Sequence, residues 1–104
     1  MEYEVGYLCY EVRLRIGYFK TKQYNMIIAG NKIILSSLSN HDEDITISDI
    51  DIIVVSGIEN KNSSIEIQSL NSTYLCFLHE NINLDELLST MRKELNNSKA
   101  IICN

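Results

Sequence analysis

Every even-numbered position from Leu8 to Tyr18 carries an apolar or aromatic side chain (Leu8, Tyr10, Val12, Leu14, Ile16, Tyr18), with Glu11, Arg13 and Arg15 between them. A helix, at about 3.6 residues per turn, would scatter that set around its axis, whereas a strand sends alternate side chains to opposite faces. The run therefore predicts a long, half-buried first strand and commits the chain to a sheet with one dry face.

The next segments read the same way. Gln23–Ala29 and Lys32–Ser37 are strand-like, and Gly30-Asn31 between them tolerates positive φ, so the pair predicts a two-residue hairpin. Ser36 to Asp44 is polar and reads as an exposed loop. Ile45 and Ile47 are apolar at odd positions, but Ile50, Ile52 and Val54 are apolar at even ones. A one-residue change of phase predicts a break or bulge near Ser48-Asp49. Glu59 to Ser63 is a turn-forming cluster, Ile65–Gln68 alternates, Asn71-Ser72 turns, and Thr73–Leu78 is apolar enough to predict burial on both faces. Seven short strands result.

The period then changes. Leu84, Leu87, Leu88, Met91 and Leu95 form one apolar stripe at helical spacing, within a helix expected over Asn83–Asn96. Asn83 is the expected N-cap, Glu86 stands at its third position, and Ile82 and Leu87 occupy the two positions of a hydrophobic staple. Asp85 and Glu86 sit in the first turn and Arg92 and Lys93 toward the end, as the helix dipole favours.

At 104 residues and 11.9 kDa the chain fits one domain. We expect that domain over residues 1–97, with 98–104 as a short tail whose Ala100-Ile101-Ile102-Cys103 is apolar enough to dock. Apolar residues make up 45% and charged residues 22%, so a core forms without metal or disulfide staples. Uninterrupted apolar runs such as Met26-Ile27-Ile28-Ala29 fall far short of the roughly 20 residues that span a bilayer, and Met1-Glu2-Tyr3-Glu4 is unlike a signal peptide. A cytoplasmic location is expected. Sixteen isoleucines, eleven asparagines and no proline point to an AT-rich, bacterial-type genome.

Seven antiparallel strands followed by one capped amphipathic helix resemble the pleckstrin-homology (PH) superfold. The likeness runs from about Val5 to Leu95 and is nearest in wording to the GRAM-like and bacterial PH-like branch. It rests on the hairpin Tyr24-Asn25-Met26-Ile27-Ile28-Ala29-Gly30-Asn31-Lys32-Ile33-Ile34-Leu35, then Ile45-Thr46-Ile47-Ser48-Asp49-Ile50, then the Leu-rich helix. The chain has no tryptophan, so the helical tryptophan of many eukaryotic pleckstrin domains has no counterpart. The resemblance implies a mainly β (α+β) fold: a seven-stranded antiparallel bent sandwich or partly open barrel, plugged by the C-terminal helix. Pattern alone also predicts an antiparallel sheet covered by a helix.

Net charge is −5, which argues against nucleic acid as a partner. The average conceals an imbalance: Arg13, Arg15, Lys20, Lys22 and Lys32 outweigh Glu2, Glu4 and Glu11 in the first 38 residues, leaving the acidic excess to the remainder. Arg13 and Arg15 share a strand face, and Lys20 and Lys22 follow at the strand's end, where lipid-binding relatives of the resembled fold carry cations. These four are the candidate anion or lipid head-group residues.

Other constellations are thin. Asp42-Glu43-Asp44 with Asp49 and Asp51 lacks the glycine and distal glutamate of a calcium loop, so no metal is expected. His41 and His79 have no nucleophile motif around them and read as surface histidines. Cys9, Cys76 and Cys103 have neither disulfide nor zinc spacing. They read as free thiols, with Cys76 buried and Cys103 alone exposed enough to react. The four glycines form no phosphate loop. With no catalytic residue and no cofactor expected, the leading expectation is a noncatalytic interaction module that binds a protein or peptide partner or self-associates as a homo-oligomer. The alternative is peripheral membrane or anionic head-group binding through Arg13, Arg15, Lys20 and Lys22.

Overall fold

In the computed structural model, which describes residues 9–18, 20–38, 43–57, 63–95 and 100–103, the first alternating run becomes strand β1 (Cys9–Arg15). Tyr10, Val12 and Leu14 are buried on one face, and Cys9, Glu11, Arg13 and Arg15 are exposed on the other. β2 (Thr21–Ala29) and β3 (Lys32–Ser37) pair antiparallel with Ala29 opposite Lys32. That register leaves only Gly30-Asn31 in the turn, at φ of 62° and 68°, the double positive φ of a type I′ hairpin. β4 (Ile45–Ile47) and β5 (Ile50–Ser56) are separated by Ser48-Asp49, with Asp49 at φ 52° and a register shift between Ile50 and Ile52. The break falls where the change of apolar phase predicts, but the register shift puts Ile53 and Val55 on the buried face beyond Ile50 and leaves Ile52 and Val54 only half-buried. β6 (Ser64–Ser69) and β7 (Thr73–Leu78) complete the hairpin series, and helix α1 (Leu84–Glu94) follows.

Two features of the expected fold are corrected. The sheet has eight strands, because Ala100–Cys103 of the expected tail forms β8, and it is mixed, because β8 runs parallel to β5 with Ile101 opposite Ile53 and Ile102 opposite Val54. Parallel neighbours need a long crossover, which β6, β7 and α1 supply. Four residues are too short a run to show a period, so the sequence pattern does not reveal the pairing. β7 also differs: Leu75 and Phe77 are only half-buried, so burial on both faces is partial.

The strand order is β4-β3-β2-β1-β7-β6-β5-β8. Laid flat, that order would put β4 six spacings from β5, about 29 Å at roughly 4.8 Å per strand. Yet Ile47 and Ile50 are three residues apart, and their Cα atoms lie within about 11 Å of each other. The sheet therefore folds back on itself, and since β4 pairs with β3 and β5 with β6 and β8, it stays unclosed.

Within the fold, register sets the core. Leu14, Cys76, Ile65 and Val55 form one buried row across four strands, and Tyr24, Val12 and Leu78 form another. α1 covers this interior with Leu87, Leu88 and Met91. Its cap is as expected: the Asn83 side chain accepts from the Glu86 N–H at 3.1 Å, and Ile82 packs against the core beside buried Leu87. Tyr10 Oη lies 3.3 Å from Thr90 Oγ1, fixing the helix over the start of β1. No helix among the described residues is long and apolar enough to cross a membrane.

Candidate ligand-binding surface at the fork between β1 and β7

The β1–β7 ladder consists of Val12–Leu78, Arg13–Phe77 and Leu14–Cys76. β1 continues to pair with β2 as far as Arg15–Thr21, and β7 continues to pair with β6 back to Thr73–Gln68. The two strands thus part after Leu14 and Cys76, each still held by its other neighbour. A shallow, solvent-open depression of about 390 Å³ lies in this fork, lined by Arg15, Gly17, Tyr18, Thr73 and Leu75. Leu75 and Thr73 are in phase with Phe77 and Arg13, so the depression opens on the face opposite the core.

The fork exists because β1 stops earlier than its alternation predicts. Ile16 donates its N–H to the Lys20 carbonyl at 2.9 Å, closing a tight loop through Gly17. Ile16 and Tyr18, expected on the buried face, are instead 47% and 86% exposed. The apolar pattern outruns the strand by two side chains, and one of them, Tyr18, lines the depression. The isolated Gly17 inside an alternating run was the available sign, since a glycine there marks a bulge or an end.

The four cationic candidates divide. Arg13 and Arg15 share the outer face, about 7 Å apart along the strand. The Arg13 guanidinium lies 5.8 Å from the Phe77 ring centroid, an exposed cation–π contact. Arg15 Nε donates to the Gly17 carbonyl at 3.1 Å, which orients its guanidinium beside the depression. Lys22 is opposite Leu14 and so takes the core-side phase, exposed only because it lies at the strand's end. Lys20 is exposed in the loop. The structure places Arg15 at the fork, with Arg13 behind it on the same face within the β1–β7 ladder, and sets Lys22 on the other side of the sheet.

Neighbouring acids on the outer face accept hydrogen bonds from neutral amides. Glu11 accepts from Gln23 Nε2 at 2.7 Å and Glu66 from Gln68 Nε2 at 3.0 Å. Among the described residues neither Arg13 nor Arg15 pairs with a carboxylate.

The remaining candidates lie elsewhere. His79 is exposed, its Nδ1 accepting from the Asn81 N–H at 3.2 Å in the turn before α1, while His41 and Asp42 fall outside the described residues. Asp44 Oδ1 accepts from the Ser37 N–H at 2.9 Å, closing the loop onto β3. Among the described residues no three His, Cys, Asp or Glu side chains gather as metal ligands. Cys76 is buried, and burial pushes its thiol up to about 12, so it stays protonated and unreactive near neutrality. Cys9 is exposed along with Cys103, which corrects the expectation that Cys103 alone is accessible. Burial also raises the Tyr10 phenol, with Glu86 adding to that effect against the opposing hydrogen bond from Thr90.

Compared with protein-family models and with curated proteins, the chain matches none.

Proposed function

We propose that this protein is a noncatalytic interaction module of pleckstrin-like architecture that binds a protein or peptide partner at the β1–β7 fork. One observation carries the reading: an open depression on the solvent face, walled by Arg15 and by a Tyr18 that is 86% exposed, with apolar Leu75 beside it. Tyrosine and arginine are the side chains that most often concentrate binding energy at protein interfaces. The unpaired edge of β7 at Thr73–Leu75 adds backbone donors and acceptors of the kind that extended peptides use. The architectural part rests on a mainly β, folded-back sheet covered by one helix near the C-terminus, from which the parallel β8 after α1 is a departure. Selection from a displayed random-peptide library tests the reading. Enriched peptides should bind the wild type and lose most of their affinity for Tyr18→Ala; enrichment indifferent to Tyr18→Ala and Arg15→Ala removes the fork as the site.

A second reading has its own support. Exposed Ile16 and Tyr18 stand in sequence between Arg15 and the exposed Lys20, with exposed Lys22 beyond them in the other strand phase, a pairing of apolar and cationic side chains at this end of the sheet that suits an anionic membrane surface. Sedimentation with phosphatidylcholine vesicles, with and without phosphatidylglycerol, decides it. Binding confined to the anionic vesicles and released by Lys20→Glu with Lys22→Glu would favour the membrane over the peptide.

A further inference from the structure

We propose that the fork receives the carboxyl-terminal end of an extended partner chain, with the terminal carboxylate on Arg15 and the last apolar side chain on Leu75. The proposal rests on the peptide-binding reading above and adds which part of a peptide is recognised.

Topology supplies the first reason. The fork presents two backbone edges that face each other, Thr73–Leu75 on the side of β7 away from β6 and Arg15 on the side of β1 away from β2. An extended segment adds to such an edge by main-chain hydrogen bonds. The fork closes at Leu14–Cys76, where the sheet becomes continuous. A strand entering along β7 cannot run through that apex, so it must end or turn there. A volume of about 390 Å³ has room for only a few residues.

Charge then selects which end. Arg15 stands at the apex, and Arg13 follows two residues along on the same face. An α-carboxylate is attracted there and an α-ammonium repelled. With Nε held by the Gly17 carbonyl, the Arg15 guanidinium is oriented before any ligand arrives, and a planar guanidinium suits a carboxylate better than an ammonium does. Glu11 and Glu66 on this face each accept from a neutral amide, and Glu66 stands opposite Leu75, so the two guanidiniums are set against carboxylates that those amides do not neutralise. Half-buried Leu75 and exposed Tyr18 offer the apolar contact for the final side chain.

The test uses a fluorescein-labelled octapeptide pool randomised at its last three positions, prepared as free acids, as carboxyl-terminal amides and with Gly-Ser appended. Fluorescence polarisation should show the free acids binding at least about tenfold more tightly than the other two forms, with selected members apolar at the last position. Arg15→Ala should abolish that discrimination and Arg15→Lys retain part of it, with unchanged circular dichroism because Arg15 is exposed. Amide resonances of Thr73 to Leu75 should shift with the free acid. Equal binding of all three forms, or shifts confined to another surface, overturns the proposal. If library-selected internal sequences bind in a Tyr18-dependent way while free acids gain nothing, recognition of a chain end fails and the interaction module stands. If no peptide of either kind binds, both fail.

Discussion

The backbone N–H of Asn31 donates to the Glu94 carbonyl at 2.9 Å, fastening the β2–β3 turn to the last residue of α1. The Gly30 N–H adds a longer contact of 3.3 Å to Glu94 Oε1. A helix end leaves carbonyls without intrahelical partners, and here the hairpin turn satisfies one of them. The turn geometry therefore matters to helix docking as well as to strand register.

Gly30→Ala should cost about 1 kcal/mol, because φ of 62° strains any residue with a Cβ. No atom lies within 4 Å of the added Cβ, so the cost is one of backbone conformation. Asn31→Gly should stay within about 0.5 kcal/mol of the wild type. Glycine suits φ of 68°, and the buried Asn31 Oδ1 that it removes has no hydrogen-bond partner. Urea unfolding midpoints distinguish the two variants; equal losses would contradict the type I′ assignment.

Removing the helix cap should be felt locally. Asn83→Ala frees the Glu86 N–H and should lower stability by about 1 kcal/mol, whereas Asn83→Asp should hold it. Thermal melts followed by circular dichroism measure the difference.

Burial predicts a sharper contrast between two leucines. Leu87→Ala empties space between α1 and the sheet and should cost about 2–5 kcal/mol, a large share of the roughly 5–15 kcal/mol that holds a domain folded. Leu70, 70% exposed, should tolerate alanine within about 0.5 kcal/mol. Chemical denaturation of both variants checks the placement of the core.

The thiols offer a pH test. Cys76 is neutral in the folded state up to about 12, but ionises in the unfolded chain from its ordinary range near 8.5 upward. Over that window the unfolded state binds fewer protons than the native state, so stability falls as pH rises and is unaffected well below it. The raised Tyr10 phenol acts in the same direction at higher pH. Cys76→Val should flatten the decline. At neutral pH, iodoacetamide followed by mass spectrometry should find Cys9 and Cys103 modified before Cys76.

Much of the fold is legible because local rules agree with global packing. The Gly30-Asn31 hairpin, the break at Ser48-Asp49 and the Asn83 cap each depend on a few adjacent side chains, and each forms where those side chains place it. The candidate surface was half legible. Arg13 and Arg15 follow from alternation along one strand, but Lys22 lands on the other face because its placement depends on pairing with Leu14 across a loop. Tyr18 was misplaced because the alternation continues where the strand does not, and such conflicts between local pattern and final structure gather at functional sites.

By itself the sequence determined seven of the eight strands, where the helix starts and the dry face of β1 from Tyr10 to Leu14 and of α1, since periodicity is a property of neighbours along the chain. Tertiary structure alone decided that Ala100–Cys103 joins β5 as a parallel edge and that β1 and β7 part after Leu14 and Cys76. Both depend on hydrogen bonds between segments remote in sequence, whose register no single segment encodes.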